Sequence, residues 1–288
     1  MQTAVAHHFI GLEGIGRVHY VVAGQGAPLV LLRGLGASVV AWDRNIPALS
    51  ERYTAYIPDL PGHGDSTKPN LTYGLEFAVR FVAKFLDALG LKRVVLMGNS
   101  MGGLLALATA LRQPEQTQAL VLVGAVSLGR DLPWLLRLAS LPGIGSLLDS
   151  LYGRSNGRFL PKVFYRPERI NPAIHEELLR LRKLPEARRA VFLTFHSSVA
   201  LLGLRPSLVL LHSSMHLSVP TLVVWGEEDR ILPVKHARRF ARQLPGAQIR
   251  ILPDCGHWPQ MEQAPIFNEA ALAFLERATT VEEDPKSP

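Results

Sequence analysis

The sequence predicts an α/β fold with a mostly parallel central sheet, helices on both faces and an inserted helical cap. Short apolar runs, typical of strands buried on both faces, alternate with longer segments in which apolar residues recur every three or four positions. Such alternation indicates a parallel sheet covered by helices. It stops near residue 127 and resumes near residue 220, which predicts the insertion. With 288 residues, 48% of them hydrophobic, the chain can bury a large core.

Several segments carry a strand pattern. Residues 17–22 alternate between polar and apolar side chains, which predicts an antiparallel strand leading into the sheet. The other segments are continuous apolar runs, such as PLVLL at 28–32 and RVVLM at 93–97, and are expected inside the parallel sheet. The remaining predicted strands are residues 54–58, 119–123, 221–225 and 248–252.

Helical periodicity is clearest in residues 73–89, where most apolar side chains fall on one stripe. Further helices are predicted at 100–112, 234–243 and 264–278. The resulting domain prediction assigns residues 1–126 and 219–278 to the core domain, 127–218 to the helical cap and 279–288 to a flexible tail.

The composition bears on partners and location. The formal net charge of +7 is interpreted as promoting solubility, with attraction to an anionic surface or substrate as the alternative. Nucleic acid is not an expected partner, because no dense basic stripe with interleaved aromatic residues is present. The single cysteine, Cys255, cannot form an intrachain disulfide. Neither a signal peptide nor an apolar run of membrane-spanning length is seen, so we expect a cytoplasmic location without stable membrane insertion. Whether the chain is a monomer or a homo-oligomer stays open.

The segment GNSMG at residues 98–102 follows the predicted strand 93–97 and opens the predicted helix 100–112. This is the G-x-S-x-G pattern of a nucleophile elbow, a sharp turn that raises the serine above the sheet edge. Glycines on both sides let the backbone approach closely without Cβ clashes. The new helix directs its N-terminal N–H groups toward developing negative charge. Ser100 is therefore the predicted nucleophile.

A serine hydroxyl is a weak nucleophile until a base takes its proton. His257 has the most suitable context among the ten histidines, because it lies in a loop after the predicted strand 248–252. His63 is the main rival, but its position in a Pro-Gly-His-Gly turn suggests that it structures its loop. The sequence therefore predicts His257 as the general base.

The base needs an acid that holds its tautomer and stabilises the imidazolium. Asp229 follows the predicted strand 221–225, although Glu227 and Glu228 are close neighbours. The chain order serine, aspartate, histidine, with each residue at the end of its own strand, favours a catalytic triad. Acyl transfer also requires donors for an oxyanion, and the backbone N–H groups of Leu35 and Met101 are the candidates.

These motifs resemble those of the α/β-hydrolase superfamily over essentially the whole chain. DLPGHGDS at residues 59–66 is similar to the superfamily's D-x-x-G-x-G-x-S segment, and residues 225–229 and 256–257 resemble its acid and histidine loops. GNSMGG at 98–103 and CGHW at 255–258 look most like meta-cleavage-product hydrolases, which cut carbon–carbon bonds in ring-fission products. The resemblance implies the α/β-hydrolase fold, a Ser-His-Asp triad and hydrolysis without a cofactor or metal.

The oxyanion loop departs from these relatives. Most of them carry His-Gly where this chain has Arg33-Gly34, and the meta-cleavage-product hydrolases have a longer loop followed by an asparagine that helps hold the substrate. This departure favours a carboxylic ester, cleaved through an acyl-enzyme, as the small-molecule substrate. Carbon–carbon hydrolysis is the alternative, and a catalytically slow ligand-binding receptor is an alternative of another class. Arg33 either acts on the substrate or oxyanion hole, or is a tolerated replacement paired with a carboxylate.

The predicted cap is rich in apolar and aromatic side chains, which favours small apolar or aromatic acyl groups unless these residues form only the cap's own core. They are Leu132, Trp134, Leu135, Leu136, Leu138, Leu141, Ile144, Phe159, Phe164, Phe192 and Phe195. Resemblance suggests Arg182 as the counterpart of a substrate-binding arginine in meta-cleavage-product hydrolases. The candidate substrate contacts are Arg33, Gly34, Asn99, Trp134, Arg182 and Trp258.

Overall fold

The computed structural model describes residues 4–141, 143–144 and 163–280, and the described strands form one central sheet and one short hairpin. The sheet strands are β1 (Val5–Leu12), β2 (Gly16–Ala23), β3 (Ala27–Leu32), β4 (Tyr53–Pro58), β5 (Val94–Asn99), β6 (Thr117–Val123), β9 (Thr221–Gly226) and β10 (Gln248–Leu252). The hairpin consists of β7 (Val199–Ala200) and β8 (Gly203–Leu204). The eight-stranded sheet has the order β1-β2-β4-β3-β5-β6-β9-β10.

The predicted mostly parallel sheet is confirmed. β2 pairs antiparallel with both β1 and β4, and every pair from β4 to β10 is parallel. Strand β1 was missing from the sequence prediction. It lies at the sheet edge, and Leu12 is its only buried residue. The burial alternation that identifies a strand in a sequence is therefore absent there.

The continuous apolar runs result from burial on both faces of the sheet. In β3, Leu29 and Leu31 belong to one core cluster, while Val30 and Leu32 belong to the cluster on the opposite face. Successive side chains of a strand point to opposite faces, so each face needs its own set of apolar residues. This arrangement buries the centre of the sheet and leaves the loops at its strand ends available for a site.

The described helices flank the sheet or lie in the segment between β6 and β9. They are α1 (Ile46–Leu49), α2 (Leu75–Ala88), α3 (Met101–Arg112), α4 (Trp134–Leu138), α5 (Pro172–Lys183), α6 (Pro185–Ser198), α7 (Lys235–Gln243), α8 (Pro259–Glu262) and α9 (Ala264–Thr280). Helix α3 contacts β3, β5 and β6 and is buried along almost its whole length. In the described part of the chain, no helix combines the length and apolar character needed to cross a membrane.

The segment predicted to form the cap contains α4, α5, α6 and the β7–β8 hairpin. Its division from the core as a separate domain stays a prediction. Helix α9 continues to Thr280, two residues into the predicted tail, and residues 281–288 lie outside the described part of the chain.

Close packing around the strand-to-helix turn requires glycine at position 102. A Cβ atom built on Gly102 would lie 2.2 Å from the carbonyl oxygen of Leu32 and 2.8 Å from that of Arg33. Both obstacles are backbone atoms, so no side-chain rotation can relieve the clash. The first turn of α3 can therefore pack against the end of β3 only through a residue without a side chain.

Replacing Gly102 with alanine is expected to destabilise the protein by about 1–3 kcal/mol or more, because overpacking displaces backbone in this core. The measurement is the free energy of unfolding from urea denaturation. The matched control is Gly246→Ala, where the added Cβ meets no atom within 4 Å, and its effect should stay within about 0.5 kcal/mol. Equal effects of the two substitutions would contradict the packing argument.

Candidate active site

Ser100 occupies the turn between β5 and α3 in a backbone conformation that residues other than glycine seldom adopt. Its φ angle is 55° and its ψ angle is −115°. The turn is held by its own backbone, since the Ser100 N–H donates to Val123 O, and Ser100 O accepts from the N–H groups of Leu104 and Val126. Such local strain persists only when surrounding contacts enforce it, and it is characteristic of functional turns. The predicted strand, elbow and helix all lie where the sequence placed them.

The three residues predicted as a triad lie within hydrogen-bond distance of one another. Ser100 Oγ is 2.9 Å from His257 Nε2, and His257 Nδ1 is 2.7 Å from Asp229 Oδ2. An ionised carboxylate can only accept, so the neutral imidazole carries its proton on Nδ1 and leaves Nε2 to accept from the serine hydroxyl. This geometry can transfer a proton from Ser100 to His257 while Asp229 stabilises the imidazolium.

The loop after β9 fixes the Asp229 carboxylate. Its Oδ1 accepts the backbone N–H groups of Ile231 and Leu232, both at 2.8 Å, so that Oδ2 faces His257. The neighbouring Glu228 carboxylate instead accepts the Cys255 N–H at 2.9 Å. The structure thereby brings Asp229, rather than an adjacent glutamate, to the histidine.

His257 is positioned by its backbone as well as by its ring. Its N–H donates to Val163 O at 2.8 Å, and its carbonyl accepts from the Asn99 side-chain amide at 3.3 Å. The same amide donates to Val123 O at 3.1 Å. Asn99 is fully buried, so its side chain links the elbow to the histidine loop and does not line the cavity above Ser100.

The rival histidine lies apart from this arrangement. His63 is buried, and its Nδ1 contacts Pro61 O at 3.2 Å. Burial and the nearby Arg33 guanidinium hold the pKa of His63 well below its usual range, so its ring is neutral. These contacts agree with a role in structuring its loop.

An apolar cavity of about 210 Å³ opens above Ser100 and His257. The predicted oxyanion donors Leu35 and Met101 line it, as do Gly34 and Trp258 among the predicted substrate contacts. The other lining residues are Leu104, Val126, Leu132, Leu136, Val163, Thr194, Phe195, Ser198, Val199, Leu204, Ile231 and Leu232. None of the described lining residues carries a charged side chain other than the His257 imidazole, which is charged only when protonated.

Other predicted contacts lie elsewhere. Arg33 is fully buried outside the cavity lining, and Trp134 is 68% exposed at the start of α4. Arg182 belongs to α5, but its side chain lies outside the described part of the structure. Phe159 as a whole lies outside the described residues. Among the apolar residues predicted for the cap, Leu132, Leu136 and Phe195 reach the cavity.

Sequence reasoning missed the cavity residues Ile231 and Leu232, which directly follow the acid loop. The available signal was their position two and three residues after the predicted acid. In the structure both backbone N–H groups donate to Asp229 Oδ1. Sequence reasoning also missed Val199 and Leu204 of the β7–β8 hairpin, for which the sequence offered no periodic pattern.

Comparison with known proteins places this geometry in a family. Residues 27–264 match the family described as alpha/beta hydrolase fold. The chain belongs to the α/β-hydrolase family. The predicted fold is thereby confirmed, and the protein is a hydrolase that acts on small molecules.

Curated relatives cover nearly the whole chain. The chain is 33% identical to 2-hydroxy-6-oxo-6-phenylhexa-2,4-dienoate hydrolase of Burkholderia cepacia, over 90% of this chain and 91% of the relative. It is also 33% identical to 2-hydroxy-6-oxononadienedioate/2-hydroxy-6-oxononatrienedioate hydrolase of Comamonas testosteroni, over 90% and 91% of the two chains.

A solved structure extends this similarity to three dimensions. The 2-hydroxy-6-oxo-6-phenylhexa-2,4-dienoate hydrolase of a Rhodococcus species superimposes with a TM-score of 0.81 and 25% sequence identity, covering 96% of this chain and all of the other. The predicted resemblance to meta-cleavage-product hydrolases is thereby confirmed. The comparisons favour the carbon–carbon alternative over the ester that the oxyanion loop suggested.

Proposed function

We propose that this enzyme hydrolyses a carbon–carbon bond in 2-hydroxy-6-oxo-dienoate ring-fission products, with Ser100 as nucleophile, His257 as base and Asp229 as the orienting acid. The observation that carries the proposal is the hydrogen-bonded chain Asp229–His257–Ser100 beneath an apolar cavity. The named relatives, which act on such dienoates, support the choice of substrate class.

In the proposed reaction, Ser100 Oγ attacks the 6-oxo carbonyl carbon and His257 takes the hydroxyl proton. The carbonyl oxygen becomes an oxyanion, for which the backbone N–H groups of Leu35 and Met101 are the proposed donors. Cleavage of the bond between C5 and C6 leaves the acyl group on Ser100. This cleavage requires that the dienol first tautomerises, the 2-hydroxyl proton moving to C5 to give a 2,6-dioxo-3-enoate. The electron pair released from the C5–C6 bond is then delocalised onto the 2-oxo oxygen as a dienolate. The dienolate takes the proton held by His257 and leaves as a 2-hydroxy-2,4-dienoate.

Water completes the proposed cycle. His257 takes a proton from a water molecule, which attacks the acyl carbon and forms a second oxyanion at the same donors. Collapse of this intermediate releases a carboxylic acid and returns the proton to Ser100. The net reaction consumes one water molecule and needs no redox change.

Ester hydrolysis is the second candidate, and the apolar lining favours it. A dienoate brings its own carboxylate into the site, whereas a neutral ester requires no charged partner in the cavity. An ester would pass through the same acyl-enzyme, with an alcohol as the leaving group. The two candidates therefore differ in the leaving group and not in the triad.

The decisive test measures kcat/KM for 2-hydroxy-6-oxo-6-phenylhexa-2,4-dienoate and for p-nitrophenyl butyrate. We expect the dienoate to exceed the ester by about tenfold or more, with benzoate formed in equal amount to the dienoate consumed. The reverse preference without benzoate would establish the esterase instead. Tight dienoate binding without turnover of either compound would indicate the receptor alternative.

A further inference from the structure

Among the lysine and arginine side chains that the structure describes, only Arg33 is buried, and its relative exposure is 0%. Its hydrogen bonds go to carbonyl oxygens rather than to a carboxylate. Nη1 donates to Gly34 O at 2.7 Å, and Nη2 lies 3.5 Å from Leu60 O. The expected pairing with a nearby carboxylate is therefore replaced by a charge-assisted bond to the oxyanion loop itself.

Asp59, the acid whose charge acts on Arg33, is hydrogen-bonded to other groups. Asp59 contacts His19 Nδ1 at 2.7 Å and accepts the backbone N–H groups of Val39 and Asp65. Burial lowers the pKa of Arg33 to about 10, and the charge of Asp59 opposes that change. Arg33 remains protonated at neutral pH, so a full positive charge is held directly beneath the loop.

The carbonyl that receives this bond belongs to the same peptide unit as the Leu35 N–H. In a planar trans peptide the C=O and N–H bonds point in opposite directions. A guanidinium held on the carbonyl side therefore fixes the direction of the N–H on the other side. Gly34 and Leu35 both line the cavity with Ser100, and a Cβ on Gly34 would lie 3.2 Å from Ser100 Cβ.

We propose that Arg33 is a positioning residue that orients and polarises the Gly34–Leu35 peptide, so that the Leu35 N–H serves as an oxyanion donor. This inference rests on the proposed nucleophilic role of Ser100. The bond to a cation draws electron density toward Gly34 O and makes the Leu35 N–H a stronger donor. Arg33 thereby acts on the transition state through the peptide, without touching the substrate.

The test compares two variants. Arg33→Met keeps an unbranched apolar stem but has no donor, and Arg33→His replaces the guanidinium with a ring N–H donor. We expect Arg33→Met to lower kcat on the preferred substrate by about 30-fold or more and to change KM by less than about threefold, since an oxyanion donor acts mainly in the transition state. Arg33→His should stay within about tenfold of the parent enzyme. The matched control is Arg44→Met, because Arg44 also donates to a carbonyl, Met261 O, away from the cavity.

A second readout does not depend on the natural substrate. The rate constant for phosphonylation of Ser100 by a fluorophosphonate requires the same oxyanion donors, and in Arg33→Met it should fall by a factor similar to that in kcat. Thermal melting of each variant identifies loss of folding. A folded Arg33→Met that is phosphonylated at the parental rate would overturn the inference while leaving the proposed function intact. Absence of labelling in the parent enzyme would instead refute the role of Ser100.

Discussion

Replacing Ser100 with alanine is expected to lower kcat/KM on the preferred substrate by about 10³-fold or more, because the residues of a triad act as a unit. The alanine has no oxygen to attack the carbonyl, and His257 Nε2 loses its partner at 2.9 Å. Steady-state kinetics of the purified variant measure the loss. A fluorophosphonate should label the parent enzyme at Ser100 and leave the variant unlabelled.

Ser198→Ala is the matched control for this experiment. Ser198 lines the same cavity, but its hydroxyl donates to Thr194 O at 2.7 Å within α6. Its removal should change kcat/KM by less than about fivefold, since surroundings without a catalytic contact contribute little to the transition state. Near-parental turnover by Ser100→Ala would show that a different nucleophile, or water activated directly by His257, performs the reaction.

Asp229→Asn is expected to reduce kcat by about 10³-fold or more through the wrong histidine tautomer. Asp229 Oδ1 accepts two backbone N–H groups, at 2.8 Å each. An asparagine must place its only oxygen there, which turns its NH₂ group toward His257 Nδ1. Two donors cannot face each other, so Nδ1 becomes the acceptor and Nε2 carries the proton. A protonated Nε2 cannot take the proton of Ser100.

The matched control for Asp229→Asn is Glu227→Gln, which removes a carboxylate two residues away in the chain. Glu227 is half-exposed and lies 3.5 Å from Arg238, so its loss should alter kcat by less than about twofold. Rates are to be measured with melting temperatures for both variants. If Asp229→Asn keeps activity within about tenfold of the parent, the orienting acid lies elsewhere, and Glu228 becomes the next residue to replace.

The ester preference in the sequence prediction relied on a short oxyanion loop. Curated relatives along almost the entire chain support carbon–carbon cleavage better. The oxyanion loop forms only one part of the site. Similarity over the whole chain includes the segments that form the rest of it. The apolar cavity keeps an ester as a testable second substrate, because the two reactions share their first step.

The sequence by itself determined the fold class and the order of the predicted triad. Strands buried on both faces require continuous apolar runs, and the elbow requires glycines where Cβ atoms would strike backbone. Both requirements are local and can be read from a short window of residues. The exposed edge strand β1 has no such requirement, because neither face of most of its length is covered.

Only the tertiary structure showed the surroundings of Arg33 and Asn99. Both were predicted as substrate contacts, yet each is fully buried and bonded to backbone of the loops that surround Ser100. Their partners depend on how separate loops meet at the carboxyl ends of neighbouring strands. A single sequence does not show which loops are in contact, because these hydrogen bonds join residues far apart in the chain, such as Asn99 and His257.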